Sequence, residues 1–287
     1  MDSLNLGTTS KTAIIVNQLK AEHHIEGAYP KIYSDPISAQ LAQFFAQEPV
    51  LKAYQSLSSD LIKGAQSSVL LRSRYVSDCF KEAIEEGCDQ LILLGSGFDC
   101  YAYQARPEFK EVQFFELDRW SILSTKETLL AQCLYPKPSN LQFCPVDFKT
   151  DDIHQLLLSH YYKADKDSFA SLLGVTQYIE VETLDRIFNA ILKCKVGSTL
   201  IFSYIVTPEN LDEKEAKLLA EFEDIASASG EPFVARYHPE FLVEKLKDMG
   251  FSSVQRFTPQ EAQKHYFQNR TDGLYANSVE QIIQVIV

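Results

Sequence analysis

The sequence lacks the marks of several common protein classes. It has six cysteines, but none forms a C-x-x-C pair or stands at metal-ligand spacing from a histidine. Reduced, partly buried thiols of a cytoplasmic protein are the expected state of such residues. No apolar run approaches the ~20 residues of a membrane-spanning helix, and the residues Met1–Asn5 do not begin a secretion signal. We therefore expect a cytoplasmic protein with no membrane partner and no bound metal.

Positive charge is also scarce. The chain has 27 Lys and Arg residues against 39 Asp and Glu residues, which gives a formal net charge of −12. No segment concentrates the basic residues, so the chain is a poor electrostatic match for a phosphate backbone, and we expect no nucleic-acid partner. Of its 287 residues, 45% are hydrophobic, which suffices to build one large domain or two small ones.

The pattern of apolar residues changes near residue 90. Before that point apolar residues recur at helical spacing, which predicts helices such as one over 67–86. After it, short apolar runs alternate with helical stretches, which predicts a parallel sheet covered on both faces. The predicted strands are 91–94, 112–117, 141–146, 169–175, 199–205, 251–257 and 282–287.

These elements predict a single α/β domain over residues 1–287. We expect a Rossmann-like, seven-stranded sheet with an N-terminal helical extension. Residues 1–89 would form a helical cap, residues 90–206 the cofactor-binding core of the sheet, and residues 207–287 a helical insert and the final strands. The sequence shows no internal repeat, no low-complexity segment and no linker to a second domain.

A glycine turn follows the first predicted strand. Gly95, Ser96 and Gly97 come directly after the apolar run, Asp99 follows, and Glu116 lies 21 positions after Gly95. A buried strand, a glycine turn and an acid about 20 residues later are typical of sites that hold an adenosyl group, because the acid accepts hydrogen bonds from ribose hydroxyls. A plain structural turn is the alternative interpretation.

The type of cofactor depends on a missing glycine. A dinucleotide site requires a third glycine three residues after the second, and Cys100 stands there instead. S-adenosylmethionine has no pyrophosphate to bind, so this glycine-poor turn favours it over a nicotinamide cofactor, which stays open as a rival. A hydrolase elbow is excluded because Leu94 replaces its first glycine, and no phosphate-binding lysine follows the turn.

Further side chains suggest a ligand cleft. Asp147 ends the third predicted strand and could accept a hydrogen bond from an adenine amino group, while Phe148 could stack on the ring. A helix N-cap is the alternative interpretation for Asp147. Arg72 and Arg74 precede the first strand, and one of them could bind a carboxylate such as that of a methionine moiety.

Motifs spread along most of the chain give it a family resemblance. The sequence resembles the leucine carboxyl methyltransferase family, and within it the bacterial S-adenosylmethionine-dependent branch. The resemblance rests on the order and spacing of Ser10-Lys11-Thr12-Ala13, Tyr33-Ser34-Asp35-Pro36, Arg72-Ser73-Arg74-Tyr75, Leu93–Asp99, Phe115-Glu116-Leu117-Asp118, Val146-Asp147-Phe148 and Gly174-Val175-Thr176-Gln177-Tyr178.

The resemblance implies a methyltransferase sheet with S-adenosylmethionine as its cofactor. It implies that Arg74 pairs with the cofactor's carboxylate and that Glu116 holds the ribose, with Leu117 as a further cofactor-binding residue. Tyr178 would face a pocket for a small-molecule or peptide-carboxylate acceptor. The other cofactor-binding residues that it implies are Gly95, Ser96, Gly97 and Asp99 at the methionine part, and Asp147 and Phe148 at the adenine.

Three departures from the family pattern leave two hypotheses. Cys100-Tyr101 replaces Thr-Arg, Gln104 replaces a common arginine, and Leu173 replaces an acid before Gly174. The first hypothesis is O-methyl transfer to a carboxylate or hydroxyl, and the second is a cofactor-binding protein without turnover. A carboxylate needs no base, whereas a hydroxyl would. The sequence identifies no catalytic residue, and the candidates for a base are Tyr178, His238 and His265.

Overall fold

Helices precede the sheet, as the sequence predicts. The computed structural model describes residues 10–104 and 106–287; Met1–Asn5, and with them the expectation about a secretion signal, lie outside this part. Ser10 caps the first helix by accepting a hydrogen bond from the Ala13 N–H, and Asp35 caps the second. The helices before the sheet are α1 (Lys11–Glu26), α2 (Pro36–Phe45), α3 (Pro49–Tyr54) and α4 (Ser59–Glu85).

The sheet has seven strands, and its central part is parallel. The strand order is β3-β2-β1-β4-β5-β7-β6, and β7 runs antiparallel between β5 and β6. This confirms the predicted Rossmann-like, seven-stranded α/β fold. The strands are β1 (Gln90–Leu94), β2 (Gln113–Asp118), β3 (Leu141–Pro145), β4 (Phe169–Leu172), β5 (Thr199–Ile205), β6 (Ser253–Phe257) and β7 (Glu280–Ile286).

Helices cover the sheet because its central strands are apolar on both faces. Leu91 and Leu93 of β1 join one core cluster with α1, α2 and α4, while Ile92 and Leu94 join a second cluster on the opposite face. This alternation is the reason that β1 reads as an unbroken apolar run. The later helices are α5 (Trp120–Gln132), α6 (Ile153–Ser159), α7 (Val181–Ile191), α8 (Glu213–Ala228), α9 (Pro239–Met249) and α10 (Pro259–Tyr266).

Two predicted boundaries differ from the structure by more than two residues. The fourth strand ends at Leu172 rather than at residue 175, because Gly174 has a φ of +67° that breaks the extended backbone. The helix predicted over 67–86 begins at Ser59 instead, since Ser58 caps it by accepting a hydrogen bond from the Leu61 N–H. The helix therefore extends two turns further towards α8.

A buried ion pair lies between the sheet and α5. Lys126 Nζ is 2.6 Å from Glu116 Oε2, and both side chains are fully buried. Burial opposes the charged form of Lys126, but the carboxylates of Glu116 and Asp99 hold its pKa above the ordinary value. Glu116 therefore anchors α5 to β2.

Two kinds of feature are missing from the described residues. No helix in residues 10–104 and 106–287 is long and apolar enough to cross a membrane. Over the same ranges, no cluster of three His, Cys, Asp or Glu side chains could hold a metal ion. All six cysteines are free thiols.

The Lys126–Glu116 pair predicts a large loss of stability when one partner is removed. We expect Lys126→Met to lower the free energy of unfolding by about 3–5 kcal/mol, because it leaves Glu116 buried without a partner. Adding Glu116→Leu should restore much of this loss. Urea denaturation followed by circular dichroism measures both effects. The control is Lys81→Met in the exposed Lys81–Glu85 pair, which should leave the midpoint unchanged; a similar fall there would contradict the prediction.

Candidate functional site

A large cavity lies where the parallel strands end. Its volume is about 810 Å³, within the range of about 300–1,000 Å³ typical of ligand pockets. Ligands of open α/β sheets bind at this edge, beyond the carboxyl ends of the strands. Its walls come from the ends of β1 to β4 and from side chains of α1, α4 and α8. The helical cap and the sheet therefore enclose one site together.

The glycine turn after β1 forms the floor of this cavity. Gly95 and Gly97 have φ angles of +70° and +50°, the left-handed region that favours glycine. A side chain at Gly95 would also meet Val175, whose Cγ2 lies 2.5 Å from the position of such a Cβ. The turn is held to β2 by hydrogen bonds from the Gly95 and Ser96 N–H groups to the Leu117 carbonyl. Backbone groups can therefore approach a ligand closely.

The acid that faces the cavity from β2 is Asp118. Its carboxylate accepts hydrogen bonds from the Gly97 N–H at 2.8 Å and the Arg119 N–H at 2.7 Å, and it lines the cavity. Glu116, to which the resemblance gives the ribose role, is fully buried, paired with Lys126 and absent from the lining. Leu117 is also buried and contributes only its carbonyl, to the turn.

The end of β3 contributes an acid and an aromatic ring, as predicted. Asp147 is exposed and Phe148 is half-buried, and both line the cavity. The Asp147 carboxylate accepts a hydrogen bond from the Lys149 N–H at 2.9 Å. The N-cap of the next helix is Asp152, so the alternative interpretation of Asp147 as a helix cap does not hold.

Of the two candidate arginines of α4, Arg72 lines the cavity and Arg74 does not. Arg72 Nη1 donates to both oxygens of Glu280, at 2.7 and 3.0 Å, and the guanidinium lies against Gly174, where any side chain would collide with it. Arg74, to which the resemblance gives the cofactor's carboxylate, has other partners. Its Nε donates to Asp78 and its Nη1 to the Ile32 carbonyl, so it binds the helical cap instead of lining the cavity.

A lysine of α1 pairs with Asp99. Lys20 Nζ lies 2.8 Å from Asp99 Oδ2, and both residues line the cavity. Burial would raise the pKa of Asp99, but the Lys20 and Lys126 ammonium groups and the Tyr101 N–H hold it below its ordinary value. Asp99 is therefore ionised at neutral pH and joins the helical cap to the glycine turn.

The N-terminus of α1 is joined to the loop after α8. Glu231 Oε2 accepts hydrogen bonds from the Thr12 N–H at 2.9 Å, the Thr12 hydroxyl at 2.7 Å and the Ser10 hydroxyl at 3.2 Å. A carboxylate at a helix N-terminus is stabilised by the helix dipole. Tyr178 lies beside this contact, lines the cavity as predicted, and packs edge-on against Phe233 with ring centroids 5.3 Å apart.

Three residues of the cavity wall each have a buried polar atom with no partner among the described residues. Asn17 Oδ1, Ser96 Oγ and Gln177 Oε1 make no hydrogen bond there, and all three residues are buried. A buried polar group without a partner costs about 1–3 kcal/mol. All three residues line the cavity, so a polar ligand bound there could satisfy these atoms.

The departures from the family pattern do not all lie in the cavity. Tyr101 packs in the core against Phe80 and Phe109, and the Gln104 amide donates to the Tyr33 hydroxyl. Of the three departures, Leu173 alone belongs to the cavity wall.

Neither histidine candidate for a base reaches the cavity. His238 occupies the N-cap position of α9, and His265 lies in the last turn of α10. Both are absent from the cavity wall. Of the three candidates for a base, Tyr178 alone lines it.

Sequence reasoning did not single out several cavity residues. Lys20 and Gln177 carry no signal in one sequence, because a buried polar residue cannot be told from an exposed one by type. In the pairs Arg72/Arg74 and Glu116/Asp118, the resemblance gives the role to Arg74 and Glu116, whereas Arg72 and Asp118 line the cavity. Only the position of each side chain against the cavity separates the two members.

A known protein family and several named proteins are similar in sequence to most of this chain. The family model described as leucine carboxyl methyltransferase matches residues 13–192. The Bacillus subtilis protein YktD, provisionally named an S-adenosyl-L-methionine-dependent methyltransferase, is 27% identical over 209 residues, which cover 72% of this chain and 68% of YktD. A Mycobacterium marinum protein with the same provisional name is 23% identical over 222 residues, covering 75% of this chain and 72% of its own.

Solved structures share the fold at low sequence identity. A provisionally assigned methyltransferase from Thermobifida fusca has a TM-score of 0.56 and 15% identity, with 97% of this chain and 95% of its own chain covered. A DUF574 family protein from Streptomyces avermitilis also has a TM-score of 0.56, with 14% identity and 97% coverage of both chains.

The family model and the names of the relatives confirm the predicted family and S-adenosylmethionine as the predicted cofactor. The model matches well over half of the residues, in the segment that carries the helical cap, the glycine turn and the first four strands. The chain belongs to the leucine carboxyl methyltransferase family of S-adenosylmethionine-dependent methyltransferases.

Proposed function

We propose that this protein transfers a methyl group from S-adenosylmethionine to an oxygen of a carboxylate or hydroxyl acceptor, with residues 1–287 working as one domain. One observation carries the proposal: the ends of three parallel strands deliver a glycine turn, three acids and an aromatic ring to one cavity, beside a buried arginine of the cap. Chemically, this set matches the methionine, ribose and adenine parts of the cofactor.

Each part of the cofactor has a partner in the cavity wall. We assign the cofactor's carboxylate to Arg72, whose Nη2 and Nε groups make no hydrogen bond to the described residues. The turn at Gly95–Gly97 lies under the methionine part, and the orphaned Ser96 hydroxyl supports a polar ligand there. Asp118 takes the ribose role, because its carboxylate is fixed at the sheet edge by the Gly97 N–H.

The adenine and acceptor ends follow from the remaining residues. Asp147 and Phe148 would bind the adenine by a hydrogen bond and by stacking. The bound cofactor supplies a sulfonium that already activates its methyl group, so the protein's task is to align the acceptor and exclude water. Tyr178 and Leu173 line the cavity wall near Gly174, and we expect the acceptor to bind there.

A protein that binds the cofactor without turnover is the second candidate. Leu173 motivates it, since this residue replaces a family acid and lines the cavity. Titration calorimetry with S-adenosylmethionine, S-adenosylhomocysteine and NADH tests what both candidates share: tight binding of NADH alone would overturn both. A radiolabelled methyl assay with carboxylates and phenols then separates an enzyme from a binder.

The ribose assignment predicts a contrast between two neighbouring acids. We expect Asp118→Asn to weaken S-adenosylhomocysteine binding about ten- to a hundredfold, because hydrogen bonds to a charged group contribute about 1.5–3 kcal/mol. The matched control is Glu116→Gln combined with Lys126→Met, which removes the Glu116 carboxylate outside the cavity without leaving a buried charge, and which should leave the Kd within about threefold. Calorimetry measures both proteins, and a larger loss in the double variant, shown by circular dichroism to be folded, would support Glu116 for the role.

The Lys20–Asp99 pair predicts a shift in acid unfolding. The lowered pKa of Asp99 contributes stability that is present above about pH 4, the ordinary range of the carboxyl, and is lost as the pH falls through the folded-state value. The variant Lys20→Met lacks the ammonium group that opposes the effect of burial on Asp99. The pKa of Asp99 should therefore rise in this variant. We expect the midpoint of acid unfolding, followed by circular dichroism, to move to higher pH.

The matched control for this prediction is Lys217→Met. Lys217 is exposed on α8 and pairs only with Glu221, so its loss should leave the acid midpoint in place. An acid midpoint of Lys20→Met that coincides with both the wild type and this control would show that the pair does not hold Asp99 ionised.

A further inference from the structure

Five acids line the cavity, and most of their oxygens already have partners. Both carboxylate oxygens of Asp99, Asp118 and Glu280 accept hydrogen bonds from the described residues. Asp147 Oδ2 and Glu231 Oε1 accept none from them. Asp147 is exposed at the end of β3, where we assign the adenine. Glu231 is therefore the acid that is left for the methyl acceptor.

The cations of the cavity wall are already engaged by other groups. Lys20 and Arg72 pair with Asp99 and Glu280, and the remaining donors of Arg72 are assigned to the cofactor's carboxylate. The other two cations are exposed and follow, in the chain, the acids assigned to the ribose and the adenine; they are Arg119 and Lys149. No cation of the described wall is left for a carboxylate acceptor, which the surrounding acids would repel.

One oxygen of Glu231 is fixed by the start of α1. Oε2 accepts hydrogen bonds from the Thr12 N–H at 2.9 Å, the Thr12 hydroxyl at 2.7 Å and the Ser10 hydroxyl at 3.2 Å. The Glu231 N–H donates to the Ala226 carbonyl of α8 at 2.9 Å. These bonds define the position of the carboxylate, as a general base requires. They leave Oε1 as the oxygen that can accept a proton from a bound molecule.

Tyr178 lies near Glu231 but cannot act as the base. The side chains of Thr12 and Gln177 lie beside its hydroxyl, yet burial dominates and raises the pKa of Tyr178 to about 12. The hydroxyl therefore keeps its proton at neutral pH. Since neither candidate histidine reaches the cavity, Glu231 is the base that remains among the described residues.

Gln177 adds a second acceptor atom at this end of the cavity. Its Oε1 has no partner among the described residues, although the residue is only 5% exposed and lines the cavity. The Gln177 carbonyl accepts a hydrogen bond at 2.7 Å from the Val234 N–H, three residues after Glu231 in the same loop. Two acceptor atoms without donors favour a ligand that donates hydrogen bonds. A hydroxyl does so, whereas an ionised carboxylate does not.

Apolar side chains line the same end of the cavity. Phe233 packs edge-on against Tyr178 with ring centroids 5.3 Å apart, and it lines the cavity together with Phe222 and Ile225. Such walls bind flat rings by area burial and by edge-to-face contacts. A phenol combines a flat ring with a hydroxyl of pKa about 10, which stays protonated at neutral pH unless a base assists.

We propose that Glu231 is the general base for an uncharged phenol acceptor, whose hydroxyl donates to Glu231 Oε1 and whose ring packs against Phe233. The inference rests on the proposed function and names its substrate class. Glu231 Oε1 takes the hydroxyl proton while the phenol oxygen forms the new bond to the methyl carbon. The bond from that carbon to sulfur breaks with its electron pair left on sulfur. The products are a methyl ether, S-adenosylhomocysteine and protonated Glu231, which releases its proton to solvent.

The first test compares a hydroxyl with a carboxylate on the same ring. We titrate 2-naphthol and 2-naphthoate at pH 7 into the wild-type protein saturated with S-adenosylhomocysteine. We expect 2-naphthol to bind about ten- to a hundredfold more tightly, because it donates a hydrogen bond to a charged acceptor that repels 2-naphthoate. Tighter binding of 2-naphthoate would overturn the inference, as would the absence of 2-naphthol binding at millimolar concentration.

The variant Glu231→Gln assigns this preference to one oxygen. Its amide oxygen can keep the bonds to Thr12 and Ser10, while an NH₂ group replaces Oε1. We expect the Kd of 2-naphthol to rise about tenfold and that of 2-naphthoate to fall, with the Kd of S-adenosylhomocysteine within about threefold. The matched control is Asp224→Asn, which makes the same charge change on the exposed face of α8 and should behave as the wild type. An unchanged preference in Glu231→Gln would overturn the assignment.

The pH dependence of turnover distinguishes a base from a binding group. Radiolabelled methyl transfer to 2-naphthol measures kcat. Glu231→Gln should lower kcat about a hundredfold at pH 7, the usual contribution of a general base. The deficit should shrink as the pH approaches about 10, where a phenol ionises without a base. A deficit that is equal at all pH values would overturn the role of Glu231, and turnover of 2-naphthoate without turnover of 2-naphthol would overturn the acceptor class.

Failure of the proposed function would look different. A protein that binds 2-naphthol but binds no S-adenosylhomocysteine would overturn the proposed function, on which this inference rests. A protein that binds S-adenosylhomocysteine and shows no preference for 2-naphthol would overturn the acceptor inference alone.

Discussion

The geometry of the site depends on the hydrogen bonds that tie the glycine turn to the end of β2. The Gly95 N–H donates to the Leu117 carbonyl, and the Gly97 N–H donates to the Asp118 carboxylate. These bonds fold the chain back over the sheet edge in a left-handed conformation that a residue with a side chain rarely adopts. The backbone of the turn can therefore approach a ligand in the cavity. The hydrogen bond from the Gly97 N–H also fixes the orientation of the Asp118 carboxylate. Ala13 of α1 lies close to this turn, near Gly97, so the helical cap is placed by it as well.

The helical cap contributes to both ends of the cavity. Lys20 and Arg72 bring its positive charges to the strand ends, where Asp99 and Glu280 hold them in place. These pairs are largely buried, so the cationic groups are held in defined positions by hydrogen bonds instead of moving freely in solvent. The same helices also contribute apolar side chains, such as Leu61 and Ala65, to the cavity wall.

Sequence reasoning succeeded where periodicity carries the information. The apolar runs of β1 to β5 stand out because these strands are buried on both faces, and the order of strands and helices then leaves few possible topologies. It does not discriminate between residues two apart, namely Arg72 and Arg74, or Glu116 and Asp118. Glu116 and Asp118 share one face of β2, and only Asp118 lies far enough along the strand to pass the edge of the sheet. The cytoplasmic location stays a prediction.

The sequence by itself determined the fold class, the family, the type of cofactor and the segments that form the site. Those follow from apolar periodicity, from the missing third glycine and from ordered motifs, all of which are local properties of the chain. The tertiary structure decided which side chains face the cavity, and that Lys20 and Gln177 belong to it. These properties arise from packing between α1, α4 and α8, which are up to about 200 residues apart, and local sequence cannot specify which surfaces of such distant elements meet.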